Sequence, residues 1–330
     1  MCIHSVLLSP CDIFVDTMGV GFSYPFVKIL FGVQVYSYTH YPFISRDMIN
    51  TVTSGKEQYN NQNAGSAVKR NVKFVYYWVV YQAYKVCGYF ADEVAANSSW
   101  TRGHMDELWN KGSRIKTIYP PCDTSDFIKR ISLTAERRNM MISFAQFRPE
   151  KQHELQLRIW SKILEDPRVP RDAMFHLIGT CRGPDDEQIV KDLRKQAVQL
   201  GIENRIRFEI NVDRDKLYDL FQNAKVAIHT MEFEHFGIAI VELMSSGIIT
   251  VAHNSAGPKS DIIGPSKEPV GYLGSTLDHY VDFAKKALLE YDDGHFHTAM
   301  RVNARKWVKD QFGIEAFNHA FLAQIENLVR

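Results

Sequence analysis

Short apolar runs and amphipathic helical stripes alternate regularly through the second half of the chain. In residues 150–164, for example, apolar side chains recur at helical spacing between two apolar runs. The pattern predicts strands at Met140–Phe147, Ala173–Gly179, Arg205–Ile210, Val226–His229 and Ile248–Ala252, and helices at Glu150–Leu164, Asp185–Leu200, Asp213–Phe221 and Gly237–Ser246. Strands that alternate with helices form a parallel, doubly wound sheet, and ligands of such sheets bind beyond the carboxyl ends of the strands.

The first 120 residues show a weaker form of the same alternation. Strand-like runs at Ile13–Asp16, Val33–Tyr38 and Glu93–Ala96 are separated by helix-compatible stretches, so this half also reads as α/β. Neither a glycine-rich phosphate loop nor a first βαβ unit precedes Met18. We therefore expect the first domain to be incomplete at its N-terminus.

Turn-forming residues divide the chain, and Pro120-Pro121 marks the connection between its halves. We predict a first Rossmann-like domain over 1–120, a linker over 121–138, a second Rossmann-like domain over 139–310 and a C-terminal helix over 311–330. Residues 51–70 are polar and rich in glycine and asparagine, which indicates a mobile surface loop.

Composition narrows the classes of function. The formal net charge is +1 and no long run of one sign occurs, which argues against nucleic acid as a main partner. The five cysteines are scattered and lack the CxxC spacing of a zinc or redox site, so they read as free thiols in a reducing compartment. The first ten residues lack the features of a signal peptide, and we read the glycosylation-like triplet Asn97-Ser98-Ser99 as a chance match.

The most membrane-like stretch is Val72–Ala91, which is rich in tyrosine, tryptophan, phenylalanine and valine. Lys73 and Lys85 interrupt it, so it predicts a helix that lies against another surface rather than one that spans a bilayer. Two interpretations stay open, a helix in a domain core and a helix at a membrane interface.

Two carboxylates, Glu234 and Glu242, are separated by seven residues at a loop-to-helix junction. If Glu234 ends the loop after the Val226–His229 strand, Phe236 and Gly237 open a helix whose free N–H groups face the ligand crevice and suit a diphosphate. Glu242 then lies two turns into the helix, within reach of ribose hydroxyls, while Glu234 points at a sugar. The alternative is a pair of solvated carboxylates, and the Phe-Gly pair with the strand and Gly-Pro loop that follow favours the site.

This element resembles the Glu-x7-Glu motif of glycosyltransferase family 4, whose members are retaining enzymes of GT-B fold. Other segments resemble the asparagine-linked glycosylation α-1,2-mannosyltransferases of the dolichol pathway, and the likeness covers nearly all 330 residues. These segments are Tyr38–Ser45, Asn97–Thr101, Ile118–Asp123, Phe147–Lys151 and Asn254–Lys259.

The resemblance implies a fold of two Rossmann-like domains facing across a cleft, with acceptor binding in the first and donor binding in the second. It implies transfer of mannose from GDP-mannose to dolichol-diphosphate-linked Man3GlcNAc2, adding the fourth and fifth mannoses by α-1,2 bonds on the cytosolic face of the endoplasmic reticulum. The implied partners are the membrane surface and other mannosyltransferases of the pathway, and neither a metal nor a cofactor is expected. A shortened chain is expected to be peripheral or soluble.

The resemblance also implies roles for cations and backbone groups near the donor. Arg148 and Lys151 would neutralise the diphosphate without a metal, although both also fit a solvated helix start. The chain departs from many family members at Ala145-Gln146, where those proteins have Gly-Arg. The N–H groups of the segment Phe236, Gly237 and Ile238 would hold phosphate.

The remaining candidates lie on other elements. His40 resembles a histidine that faces the donor sugar from the acceptor domain, although a lone histidine is more often structural. Asn211 and Val212, on the loop after the third strand, are candidates for guanine contacts. Retention would follow from front-face displacement, with Glu234 orienting mannose hydroxyls or stabilising positive charge.

Two other functions remain open from the sequence. A shortened first domain could leave a non-catalytic donor-binding remnant or a regulatory isoform, in which the motif persists without an active cleft. A related family 4 enzyme that uses another donor would carry the same Glu234/Glu242 pair.

Overall fold

A computed structural model describes residues 6–54, 67–291 and 295–329 of the chain. Its contacts divide the chain into two compact units. The first comprises Met1–Tyr119 together with Asn318–Arg330, and the second comprises Pro120–Phe317.

The first unit is built on a four-stranded parallel sheet whose strands lie in chain order, β1-β2-β3-β4. The strands are β1 Ile13–Asp16, β2 Gln34–Thr39, β3 Glu93–Ala96 and β4 Ile115–Thr117. The helices are α1 Tyr24–Phe31, α2 Arg46–Ser54, α3 Ala67–Gly88 and α4 Ser99–Trp109. Its core contains Tyr24, Tyr84 and Trp109, all fully buried, and Gly88 is required because a Cβ there would overlap the Trp109 ring.

Helix α3 has one side in the core of the first unit and another side exposed to solvent. Tyr84 is fully buried in the core, whereas an apolar stripe on the same helix is exposed to solvent. The stripe, which recurs at helical spacing, consists of Val72, Val75, Tyr76, Val79 and Val86. Among the residues described, no helix combines the length and the apolar character that crossing a bilayer would require.

The second unit contains a six-stranded parallel sheet in the order β10-β9-β8-β5-β6-β7. The strands are β5 Met140–Phe144, β6 Met174–Gly179, β7 Ile206–Ile210, β8 Val226–His229, β9 Ile249–His253 and β10 Tyr272–Gly274. The helices are α5 Thr124–Arg130, α6 His153–Leu164, α7 Pro184–Gln199, α8 Arg214–Asn223, α9 Ile238–Ser245, α10 Leu277–Leu289, α11 Phe296–Phe312 and α12 Ile314–Val329, the last of which continues into the first unit.

This strand order is the one in which the direction of winding reverses between β5 and β8. Parallel sheets of this kind bind ligands in the crevice outside the carboxyl ends of the strands at the point of reversal. The loops that follow β5 and β8 therefore contribute the residues nearest to a ligand, and both loops contain predicted site residues.

The predicted α/β class with parallel sheets is confirmed, and most element bounds in the second unit agree within two residues. Two predictions were wrong in detail. The first strand of the second unit ends at Phe144, and the helix predicted from Glu150 begins as a short 3₁₀ turn at Pro149–Lys151 before α6. A left-handed Gln152, with φ of 54°, separates the two and sets the direction of Lys151.

Two further predictions concern connecting segments. The predicted linker over 121–138 contains helix α5, whose N-cap is Asp123. The predicted loop over 51–70 was wrong at both ends, because 51–54 belong to α2 and 67–70 to α3. Its central residues, 55–66, lie outside the described residues.

Candidate functional site

A cavity of about 420 Å³ lies in the second unit at the carboxyl ends of the central strands. Its position is the point of reversal between β5 and β8, where the fold class binds ligands. Polar and charged side chains at its wall include Lys151, Thr180, Arg182 and His229. Apolar side chains there include Val212 and Ala239. The cavity is thus lined by both apolar surface and cations.

Glu234 is held beside this cavity by two basic side chains. Lys151 Nζ lies 2.6 Å from Glu234 Oε2, and His229 Nε2 lies 3.0 Å from the same oxygen. All three side chains are largely buried, with exposed fractions of 17% for Lys151, 16% for Glu234 and 3% for His229. A single carboxylate oxygen therefore accepts from both partners.

The electrostatics of Glu234 follow from these contacts. Burial alone would raise the pKa of its carboxyl, but the hydrogen bonds and electrostatic interactions with His229 and Lys151 outweigh burial and hold the pKa well below its usual range. Glu234 is consequently ionised at any physiological pH and can accept hydrogen bonds from sugar hydroxyls.

Backbone contacts fix the loop that carries Glu234. The Gly257 N–H donates to the Glu234 carbonyl at 2.9 Å, and the Phe233 N–H donates to Ser255 Oγ at 3.0 Å. Phe233 has φ of +58° and Gly237 has φ of +112°, so one residue on each side of Glu234 has a left-handed backbone conformation. The loop after β9 thus acts as a brace for the loop after β8.

Lys151 is also positioned by its own backbone. Its carbonyl accepts from Thr230 Oγ1 at 2.9 Å and from Gln156 Nε2 at 3.3 Å, so the loops after β5 and β8 are tied together. Arg148 is different, because its guanidinium is exposed and lies 3.9 Å from the Glu150 carboxylate. The structure therefore brings Lys151, but not Arg148, to Glu234.

Glu242 lies on α9 and is largely buried, and burial raises the pKa of its carboxyl to about 7. Nearby charges act in opposite directions, since Arg214 lowers this pKa and Asp123 raises it. Among the described residues, no hydrogen bond to the Glu242 carboxylate is found. In its ionised form, this carboxylate can accept two hydroxyl donors from a ligand.

The first turn of α9 presents the predicted phosphate-binding groups. Gly237 is its N-cap residue, and the first intrahelical bonds are made by Ile240 and Val241 to the Gly237 carbonyl. The N–H groups of Ile238 and Ala239 therefore lie outside the intrahelical pattern, and Ala239 lines the cavity. The Phe236 side chain is buried against Phe312, with ring centroids 5.4 Å apart.

The two candidates for base recognition differ in the structure. Asn211, in a left-handed conformation with φ of +51°, forms a pair of hydrogen bonds with the Cys181 backbone, accepting from its N–H at 3.0 Å and donating to its carbonyl at 3.2 Å. Its side chain thereby joins the loops after β6 and β7. Val212 lines the cavity directly.

His40 belongs to the first unit, whereas the other predicted site residues belong to the second. It follows β2, and its ring packs edge-on against Tyr38 with centroids 5.2 Å apart. Its carbonyl accepts from Thr101 Oγ1 at 3.2 Å. Desolvation lowers the pKa of His40, so the imidazole is neutral at pH 7 and suits hydrogen bonding rather than charge pairing.

Sequence reasoning did not select His229, Thr180 or Arg182 for the site. His229 is the last residue of β8, and a histidine that ends an apolar strand resembles a core residue in the sequence alone. The available signal was its position at the carboxyl end of a central strand, five residues before Glu234.

Comparison with protein families identifies the second unit. Residues 124–307 match the family model described as glycosyl transferases group 1. The chain belongs to this glycosyltransferase family. Residues 1–109 match a second family model, described as ALG11 mannosyltransferase N-terminus. The family membership that the sequence motifs indicated is confirmed.

Curated relatives of this group 1 glycosyltransferase are similar over nearly the whole chain. A human protein named GDP-Man:Man(3)GlcNAc(2)-PP-Dol alpha-1,2-mannosyltransferase is 36% identical over 97% of the chain. A Dictyostelium discoideum protein of the same name is 37% identical over 96% of it. The chain spans 66% and 64% of the lengths of these two relatives.

Solved structures confirm the predicted GT-B fold. The Anabaena protein HepE in complex with UDP superposes with a TM-score of 0.74 at 16% identity, over 99% of this chain and 81% of that one. Sucrose-phosphate synthase from Thermosynechococcus elongatus gives a TM-score of 0.74 at 14% identity, over 99% and 76% of the two chains.

The hydrogen bond from the Gly257 N–H to the Glu234 carbonyl leads to a prediction about Gly257. A Cβ at this position would overlap the Phe236 carbonyl oxygen and lie 2.7 Å from its Cα, and neither backbone atom can move freely. We expect Gly257→Ala to reduce the free energy of unfolding by about 2–4 kcal/mol, measured by chemical denaturation.

Gly183→Ala is the matched control, because a Cβ there meets no atom within 4 Å and the backbone is extended. Gly183 is the N-cap residue of α7, where alanine is less favourable than glycine, so we expect the free energy of unfolding of this variant to stay within about 1 kcal/mol of that of the unsubstituted chain. Equal stability of the two variants would show that the approach of Gly257 to Phe236 does not constrain the loop.

Proposed function

We propose that the chain is a retaining glycosyltransferase that moves mannose from GDP-mannose to dolichol-diphosphate-linked Man3GlcNAc2, adding the fourth and fifth mannoses by α-1,2 bonds. The observation that carries this proposal is the buried Lys151–Glu234–His229 cluster beside the cavity at the sheet's point of reversal. The choice of donor and acceptor is supported by the names of the curated relatives from human and Dictyostelium discoideum.

The proposed donor pose follows from charge and geometry. The diphosphate lies between Lys151 and the first turn of α9, where an ammonium group and free N–H groups can stabilise the charge that develops on the leaving group. The N–H groups of Phe236, Gly237 and Ile238 are further donors in this proposal, and the exposed Arg148 side chain joins them by turning away from its 3.9 Å contact with Glu150. The ribose lies against Glu242, and the base lies near Val212 and Asn211.

The proposed reaction is a front-face displacement. The acceptor hydroxyl attacks the anomeric carbon from the side that the diphosphate leaves, and the proton of that hydroxyl passes to the leaving phosphate oxygen. Ionised Glu234 orients mannose hydroxyls and stabilises positive charge on the sugar, while neutral His40 serves as a hydrogen-bond partner of mannose or acceptor. The chain supplies its own cations, and we propose that transfer needs no added metal.

We further propose that the first unit docks on a membrane surface, at the cytosolic face of the endoplasmic reticulum, where a lipid-linked acceptor would be embedded. The exposed apolar stripe of α3 carries the argument, together with Trp78 and Tyr89, which are also exposed. Lys73 and Lys85 lie on the same helix, and lysines beside an aromatic, apolar face favour an interfacial position near anionic headgroups. Other mannosyltransferases of the pathway are proposed as partners on that surface.

The first test is mannose transfer by the purified chain from labelled GDP-mannose to a trimannosyl lipid-linked acceptor. We expect product in the presence of EDTA, and a loss of at least about 100-fold in rate for Glu234→Gln because the oriented carboxylate is gone. Glu165→Gln, an exposed carboxylate of the same unit, should retain full activity.

UDP-glucose in place of GDP-mannose should give no product. Binding of GDP-mannose without any transfer by the unsubstituted chain would contradict the proposal and favour a donor-binding remnant. Transfer from UDP-glucose would instead identify an enzyme with another donor.

A second prediction concerns Glu242 and pH. Since burial raises the pKa of Glu242 to about 7 and ribose hydroxyls need the ionised form as acceptor, donor binding should release a proton and strengthen as pH rises. We expect the affinity for GDP-mannose, measured by calorimetry, to increase by up to about tenfold between pH 6 and pH 8. In Glu242→Gln the dependence should flatten, and an unchanged dependence in that variant would exclude Glu242 as its source.

A third prediction concerns the membrane. The chain should float with vesicles of phosphatidylcholine containing about one fifth phosphatidylserine, and the double substitution Val75→Ser, Val79→Ser should reduce the bound fraction at least about fivefold. The control substitutes two valines of similar exposure in the second unit, Val198 and Val302, by serine. Equal loss of binding in both pairs would contradict docking through α3.

A further inference from the structure

His229 is a buried histidine whose hydrogen bond goes to the central carboxylate of the site. Its side chain is 3% exposed, and its Nε2 lies 3.0 Å from Glu234 Oε2. This contact requires a proton on Nε2, because the ionised carboxylate can only accept. Packing alone would be satisfied by an apolar side chain at this strand position.

The two basic partners of Glu234 differ in how freely they can move. His229 ends β8, a strand paired on both sides, and its backbone is in register with Ala252 of β9. Lys151 reaches the same oxygen through a flexible four-carbon chain from the loop before α6. A donor diphosphate beside Lys151 would compete with Glu234 for its ammonium group, whereas no such movement is open to the His229 ring.

The two carboxylate oxygens also differ. Lys151 and His229 both contact Oε2, and no hydrogen bond to Oε1 is found in the part of the chain that the structure describes. With Oε2 fixed by His229, the direction of Oε1 is fixed as well, since the carboxylate is planar and Glu234 is held from behind by the Gly257 N–H.

We propose that His229 is a positioning residue for donor recognition: its Nε2–H holds Glu234 Oε2 when the diphosphate draws Lys151 away, so that Oε1 is presented to a hydroxyl of the donor sugar. The inference rests on the proposed function for the identity of that sugar. Lys151 in this scheme serves the diphosphate and the resting carboxylate in turn.

Other titratable groups surround the pair and have to be considered in any pH measurement. His153 of α6 and His253 of β9 both act electrostatically with His229, and burial lowers the pKa of each, that of His153 to about 4. Glu232 lies on the same loop as Glu234 and raises the pKa of His253. Above pH 6, the charge that changes next to Glu234 is therefore not that of His153.

The test compares two replacements of His229 in the full chain. His229→Phe keeps an aromatic ring but has no donor, and His229→Gln keeps an N–H donor near the position of Nε2. The affinities for GDP and for GDP-mannose are measured by calorimetry, because their ratio reports the contact made by the sugar. We expect His229→Phe to reduce the ratio of the GDP-mannose affinity to the GDP affinity by about 10-fold or more, while the GDP affinity stays within about threefold of that of the unsubstituted chain. His229→Gln should restore the ratio to within about threefold.

Transfer kinetics give the second readout. In His229→Phe, kcat should fall about 10- to 100-fold, and the acidic limb of kcat, taken at saturating donor, should move to higher pH because one of the two groups that lower the pKa of Glu234 is missing. A purely structural role would not move that limb, and GDP affinity confirms that the variant is folded.

The outcomes separate this inference from the proposed function. An unchanged GDP-mannose to GDP affinity ratio in His229→Phe, or equal loss in His229→Gln and His229→Phe, would overturn the role of His229. Absence of transfer by the unsubstituted chain, with the affinity ratio still dependent on His229, would overturn the proposed reaction and leave the positioning role supported.

Discussion

The ion pair between Lys151 and Glu234, shared at one carboxylate oxygen with His229, is the interaction on which the rest of the site depends. Burying a carboxylate is costly unless it is paired and hydrogen-bonded, and here two basic groups more than compensate for burial. The pair keeps Glu234 ionised in a largely enclosed position and places a cation beside the cavity. Both properties are needed by a site that binds a sugar linked to a diphosphate.

The fold brings these three residues together from distant parts of the sequence. Lys151 lies after β5, His229 is the last residue of β8, and Glu234 lies on the loop after β8. The two strands are neighbours at the point where the winding reverses. The connection through Thr230 to the Lys151 carbonyl and the brace from Gly257 to the Glu234 carbonyl hold the loops in place. Catalytic precision in such a site depends on this support as much as on the charged groups themselves.

The sequence predicted the second unit well because its strands are continuous apolar runs between strongly periodic helices, as in buried parallel sheets. Strand β4 was missed since it has only three residues, with an exposed Lys116 at its centre. Glu234 and Lys151 were predicted from sequence motifs, but the contact between them was not. The two residues lie on different loops that are distant in the sequence, and the sequence alone does not show how closely those loops approach. Asn211 was predicted to contact the base because of its position on the loop. The structure shows a local role for an asparagine there, since its side chain makes two hydrogen bonds with the Cys181 backbone.

A crystal structure of the chain with GDP-mannose bound would show whether Lys151 exchanges Glu234 for the diphosphate. We expect the diphosphate to lie at Lys151 and the first turn of α9, Lys151 Nζ to have moved beyond its present 2.6 Å from Glu234, and Glu234 to contact a mannose hydroxyl. A nucleotide bound away from the ends of β5 and β8, or a bound donor beside an unchanged Lys151–Glu234 pair, would contradict this expectation.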